Sequence, residues 1–212
     1  MKAPLICALC LMPALATAHP HVFVDAEVVF LGSPSALDEI RVTWRYDEFT
    51  TLFLIETLDL DRDGDGVLDA EDEARIVAGE TDWPPEYEGD IYMHAGGQHV
   101  AMTRPHNADA GMVDGRIFVT FDLPLATPQP LTPGAQISLK LYDPYYYYDY
   151  DILPGAVIDP AAPGCAVTLV PFAPDREDAA LQEELRLLAR DEVPAEENIG
   201  ARFADELVVH CD

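Results

Sequence analysis

Apolar and polar residues alternate at the start of the chain. From His21 to Phe30, Val22, Val24, Ala26, Val28 and Phe30 fall on one side, with His21, Phe23, Asp25, Glu27 and Val29 on the other. A period of two is that of a half-buried strand. Gly32-Ser33-Pro34 closes it, and Ile40–Tyr46 alternates again through Val42 and Trp44, so the pair predicts a hairpin. The period then changes. Phe49, Leu52, Phe53, Ile55 and Leu58 recur three and four apart, and Ala74, Ile76 and Val77 follow among acids before Gly79, which predicts two helices. Further strands are expected at Ile91–Met93 and His99–Met102 about the turn Ala95-Gly96-Gly97, then at Arg116–Leu123, Gln136–Asp143 and Ala166–Phe172. Proline-rich Leu125–Gly134 reads as a loop, and Asp175–Asp191, with Ala179, Leu181, Leu185 and Leu188, as a surface helix. Strands at hairpin spacing outnumber helices. The expected fold is therefore α+β: an antiparallel β core, sandwich-like, with a helix-loop-helix inserted at about 48–79 and a C-terminal helix.

The residues between the two predicted helices, Asp61-Arg62-Asp63-Gly64-Asp65-Gly66-Val67-Leu68-Asp69-Ala70-Glu71-Asp72, read as an EF-hand calcium loop. Such a loop needs side-chain oxygens at positions 1, 3 and 5, a backbone carbonyl at 7, an often water-mediated ligand at 9 and a carboxylate at 12. Asp61, Asp63, Asp65, Val67, Asp69 and Asp72 fill those places, Gly66 takes the sharp turn at 6, and Leu68 is the apolar anchor. Asp72 is shorter than the usual Glu, which weakens calcium and tolerates magnesium. Sensor loops work in pairs, so a lone loop reads as a structural clip.

Lys2, the apolar run Leu5–Leu15 and the small-residue site Ala16-Thr17-Ala18 form a secretory signal peptide. Residues 1–18 are thus read as a cleaved leader and 19–212 as a single periplasmic domain. The run is too short to span a bilayer and no later one is longer, so no membrane insertion is expected. Cys7 and Cys10 leave with the leader. The remaining pair, Cys165 and Cys211, is expected to form a disulfide in an oxidising compartment.

Twelve basic against 39 acidic residues give a net charge of −27, which disfavours nucleic acid and anionic lipid and favours cations. Cleavage after Ala18 would make His19 the terminal residue, offering an α-amine beside its imidazole. His21 and Asp25 lie on the same strand face, and together these N and O donors suit zinc, nickel, cobalt or copper rather than calcium. The plainer alternative is an exposed His-Pro-His that merely begins a strand. Pro20 lacks the amide proton that a square-planar amino-terminal copper or nickel chelate must lose. His94, His99 and His106 gather near a turn, and His210 adjoins Cys211. In the tyrosine run Tyr145–Tyr148, alternation would send Tyr145 and Tyr147 one way and Tyr146 and Tyr148 the other. No nucleophile elbow, H-E-x-x-H or phosphate loop is present, so no enzyme is expected.

His19-Pro-His21-Val22-Phe23-Val24-Asp25, Val42-Thr43-Trp44-Arg45-Tyr46-Asp47-Glu48-Phe49, the acidic loop, Tyr142-Asp143-Pro144-x-Tyr146-Tyr147 and Ile199-Gly200-Ala201-x-Phe203-Ala204 form one pattern. It resembles an uncharacterised bacterial periplasmic family labelled an ABC-type transport periplasmic component, whose members accompany NicO-type permeases. The resemblance implies a metal-binding accessory protein for zinc or nickel/cobalt transport, partnered by an inner-membrane permease. The competing expectations are a calcium-stabilised secreted interaction module, and a copper enzyme that would need a further histidine facing His19.

Overall fold

In the computed structural model, which describes residues 19–85, 87–189 and 192–212, the expected hairpin is present. Its strands are β1 (Val22–Ser33) and β2 (Ala36–Tyr46), antiparallel with Val28 opposite Val42 and Ala26 opposite Trp44. Residues 1–18, expected to form a leader, lie outside the described residues. Val24, Ala26, Val28 and Phe30 are buried, as the alternation requires. Beyond the hairpin come two helices, α1 (Glu48–Thr57) and α2 (Ala70–Thr81), followed by β3 (Ile91–Ala95) and β4 (Gln98–His99). The chain continues through β5 (His106–Val113), β6 (Arg116–Pro130), β7 (Gln136–Leu141), β8 (Tyr148–Ile152), β9 (Val157–Asp159) and β10 (Cys165–Val170). Helix α3 (Arg176–Leu185), a short 3₁₀ turn at Ile199–Arg202 and β11 (Glu206–Cys211) complete it.

These strands form two sheets. One runs β5-β6-β2-β1-β8, with β9 also on β1; the other runs β10-β11-β7-β3-β4. Their inner faces meet in one core, to which Phe30, Ile40, Trp44 and Phe121 contribute from the first sheet and Met93, Leu139, Leu207 and Val209 from the second. The first sheet is mixed rather than wholly antiparallel, because β8 and β9 both pair with β1 in parallel. A separate small core of Tyr146, Leu185, Ile199 and Phe203 holds α3 and the 3₁₀ turn against the sandwich.

Three differences from the sequence reading have physical causes. The proline-rich stretch is strand, since β6 continues to Pro130, which faces Ala36 of β2. Pro124 and Ala126 turn their backbone groups toward Ala101–Thr103, through Thr103 N–H to Pro124 O and Ala126 N–H to Ala101 O, each 2.8 Å. The donor that Pro124 lacks therefore falls away from the β2 ladder. Strand β5 escaped because its Asn, Ala and Gly residues have poor strand propensity at a sheet edge. Regular alternation of the tyrosine run fails because Tyr146 has a φ of 56°. Tyr146 is buried in the small core, Tyr145 is half exposed, and only Tyr148 joins β8.

The disulfide is present: Cys165 and Cys211 stand opposite one another in the β10–β11 pair, with Cα atoms 4.0 Å apart. No helix among the described residues is long and apolar enough to cross a membrane.

Candidate metal centres

The acidic loop is organised by its own backbone. Asp47 caps α1, accepting from Phe49 N and Thr50 N, and its other oxygen accepts from Phe23 N of β1 at 3.0 Å. Leu60 and Leu68 flank the loop and are buried in the main core, so the apolar anchor works as the sequence suggests. At the sixth position Gly66 has a φ of 79°, where a β-carbon would be strained, and its N–H donates to the Asp61 carboxylate at 3.2 Å. Val67 N–H donates to Asp65 Oδ1 at 2.9 Å. The carboxylates of Asp61, Asp63 and Asp65 come together there, with ligand atoms all within 4.8 Å. Asp69 caps α2 and accepts from Glu71 N and Asp72 N, which hold its pKa below the usual carboxylate value. Asp63, Asp65, Val67, Asp69 and Asp72 line one cavity of about 170 Å³.

Position 12 is more constrained. Asp72 is buried and completes the capping box of α2, with Oδ2 accepting from Asp61 N at 3.1 Å and Asp69 N at 3.3 Å. Arg75 approaches its other oxygen at 3.4 Å while also pairing with Glu71 and donating to Asp59 O. An oxygen-only donor set of this kind suits a hard cation such as calcium.

The N-terminal histidines also meet. The His19 and His21 rings are 5.1 Å apart between centroids, and Tyr147 lies 4.6 Å from His21 and 6.0 Å from His19. Backbone bonds from His21 N and Val22 N to Tyr147 O fasten the start of β1 to the Asp143–Tyr147 turn. His19 is 3% exposed and its Nδ1 has no hydrogen-bond partner among the described residues. Desolvation lowers its pKa, against the opposing pull of the Asp143 charge. The third proposed ligand, Asp25, is engaged elsewhere: Arg116 donates to its Oδ2 at 2.7 Å while also binding the carbonyls of Tyr46 and Arg45.

Close to that turn lies Asp90, a residue that the sequence did not single out. It is 5% exposed, accepts from Tyr150 Oη at 3.0 Å, and has a pKa raised to about 7 by burial and by the charge of Asp143. Its signal in the sequence, an acid just before a strand, is shared by many harmless residues.

The remaining histidines are accounted for by ordinary pairing. His94 and His99 are cross-strand neighbours, with His99 3.3 Å from Glu88. His106 joins Glu39 and Asp122 in a second group of ligating atoms within 4.8 Å, drawn from three strands. Here the acids already have partners: Arg41 binds Asp122 through two bonds of 2.6 and 2.8 Å, Asn107 donates to it, and His106 pairs with Glu39 at 2.9 Å. Arg41 holds the Asp122 carboxyl below its usual pKa, and Glu39 raises that of His106. His210 stands opposite Ala166, with Cys211 committed to its disulfide.

A two-sheet β core carrying a helix-loop-helix with EF-hand spacing defines the class. Comparison with known families agrees with a single assignment across the chain. It belongs to the family described as "Protein of unknown function (DUF1007)", whose profile matches residues 4–211. No curated protein and no solved structure matches it. A family of unknown function carries no activity to transfer, so function is argued from the sites.

Proposed function

We propose that the protein is an exported, periplasmic, non-enzymatic metal-binding accessory that passes zinc or nickel/cobalt to or from an inner-membrane permease. On this reading it carries a structural calcium ion in its EF-hand loop. The supporting observation is the meeting of His19 and His21, with a buried His19 Nδ1 that has no hydrogen-bond partner among the described residues. Two imidazoles and, after leader removal, an α-amine make a borderline donor set that favours such metals over calcium. The permease partner rests on the resemblance carried by the His19–Asp25, Tyr142–Tyr147 and Ile199–Ala204 segments. Competitive titration of zinc, nickel, cobalt and copper into periplasmically processed protein tests the reading, beside a form with one extra N-terminal residue. Binding should be tighter in the processed form and fall as pH drops through about 7 toward 6, because amine and imidazole must shed protons. Equal binding by the extended form and by His21→Ala would overturn it.

A second reading, a calcium-stabilised interaction module without a transition metal, is favoured by α1. Phe49, Leu52 and Phe53 are exposed on it, beside a cavity of about 340 Å³ lined by Tyr46, Glu80 and Tyr148. A calcium-dependent melting shift with no transition-metal binding would select this reading.

A further inference from the structure

The transition-metal reading leaves its carboxylate unsettled, because the acid nearest in sequence, Asp25, is neutralised by Arg116. We infer that Asp143 is the carboxylate of the N-terminal centre, completing a zinc-class site with His19 and His21. This inference rests on the reading of the N-terminus as a metal centre and specifies its ligand set.

Three observations carry it. First, His19, Asp143, Tyr145, Tyr147, Tyr148 and Glu192 line one cavity of about 300 Å³, so Asp143 and the His19 imidazole face the same space, while Glu192 is already held by Ala189 N at 2.7 Å. Second, His19 is nine-tenths buried or more, and its Nδ1 is without a hydrogen-bond partner among the described residues. An unsatisfied imidazole nitrogen near a carboxylate is a poor resting state and a good half of a metal site. Third, the turn that bears Asp143 is rigidly held. Asp143 O accepts from Tyr146 N at 2.9 Å and Oδ2 from Tyr147 N at 2.6 Å. That is the only hydrogen bond to this carboxylate among the described residues, and it leaves Oδ1 for a cation. Gly200 packs against the turn so closely that a β-carbon there would lie 2.0 Å from Asp143 O. A bond from the Tyr147 amide to Oδ2 orients the carboxylate, as outer hydrogen bonds commonly do for metal ligands. Tyr147 is in ring contact with both histidines and lines the cavity that His19 and Asp143 share.

The alternative acids do worse. Asp25 opens instead onto a cavity with Asp149, Asp151 and Asp205, which does not contain His19. The Glu39–His106–Asp122 group already has Arg41 as its cation.

The test uses protein recovered from the periplasm, its N-terminus verified by mass, with zinc competed against a chromogenic chelator and cobalt(II) followed by visible absorption. Asp143→Asn, which keeps the oxygen that accepts from Tyr147 N, should weaken zinc at least tenfold and change the cobalt bands. Asp25→Asn should change neither. Asp143→Cys should give a near-ultraviolet thiolate-to-cobalt band, a direct sign of ligation that does not depend on stability. Wild-type affinity in Asp143→Asn, or no such band in Asp143→Cys, would overturn the inference. If His21→Ala loses zinc while Asp143→Asn does not, the N-terminal reading stands and only the ligand assignment fails. If His21→Ala also binds normally, both fail.

Discussion

The acidic loop and the Asp143–Tyr147 turn both present carboxylates toward a cavity, but they are assembled in opposite ways. Every ligand position of the loop lies within Asp61–Asp72, and the bonds that aim its carboxylates are short-range, Gly66 to Asp61 and Val67 to Asp65. The turn meets His19 only because β1 and β8 pair in parallel, and it stays in place because Gly200, near the other end of the chain, packs on it. A local site needs its own sequence; an assembled one needs the whole sandwich. Perturbing the sandwich should therefore damage the turn and spare the loop.

The largest effect is expected from Cys211→Ser. Opening a loop of 46 residues should cost roughly 4 kcal/mol in the chain-entropy picture. Chemical denaturation should show that loss, while calcium binding by the folded fraction stays unchanged. Asp90→Asn should act in the other direction. With its pKa raised from 3.8 to about 7, Asp90 is neutral in both folded and unfolded chains below about pH 4 and costs nothing there. Between those values the unfolded chain ionises first, so stability falls as pH rises, and above 7 the full penalty remains. Asn removes it and suits the φ of 55° at this position. Denaturation at pH 8 should show a gain of about 2 to 4 kcal/mol that disappears at pH 4.

The two helices beside the loop offer a finer contrast. Ile76 of α2 is fully buried, whereas Phe53 of α1 is 55% exposed. Ile76→Ala should cost about 3 kcal/mol by urea denaturation, and Phe53→Ser less than about 0.5. An equal cost for both would mean that α1 is more tightly packed than its exposure shows. Within the loop, Asp65→Ala should leave calcium-free stability nearly unchanged and abolish the calcium-induced melting shift. Wild-type calcium affinity is expected at about 10⁻⁵ to 10⁻³ M by calorimetry. Asp72→Glu should tighten calcium about tenfold, its longer side chain reaching past the capping bonds to the ion.

What could be read in the sequence follows the same division. Alternation gave the β1–β2 hairpin, the helical spacing gave α1, α2 and α3, and the EF-hand register located the converging aspartates, because each is a short-range pattern. The Cys165–Cys211 pair was legible from arithmetic and compartment. The parallel pairing of β8 and β9 with β1 was not, since no local period encodes which distant strand lies alongside. Asp90 and Asp143 were invisible as neighbours for that reason, and the positive φ of Tyr146 concealed where its ring would go.

Strand β11 comes after every other strand of its sheet in chain order, yet it sits inside that sheet, between β10 and β7. It is therefore made after all the strands it must join. Until Glu206–Cys211 arrive, Leu139 and Val167 have no strand between them to bridge the gap, and the cysteine at 165 has no mate. A break before Glu206 thus removes a middle strand rather than a frayed edge. Products that lack β11 should remain open and fall to proteases.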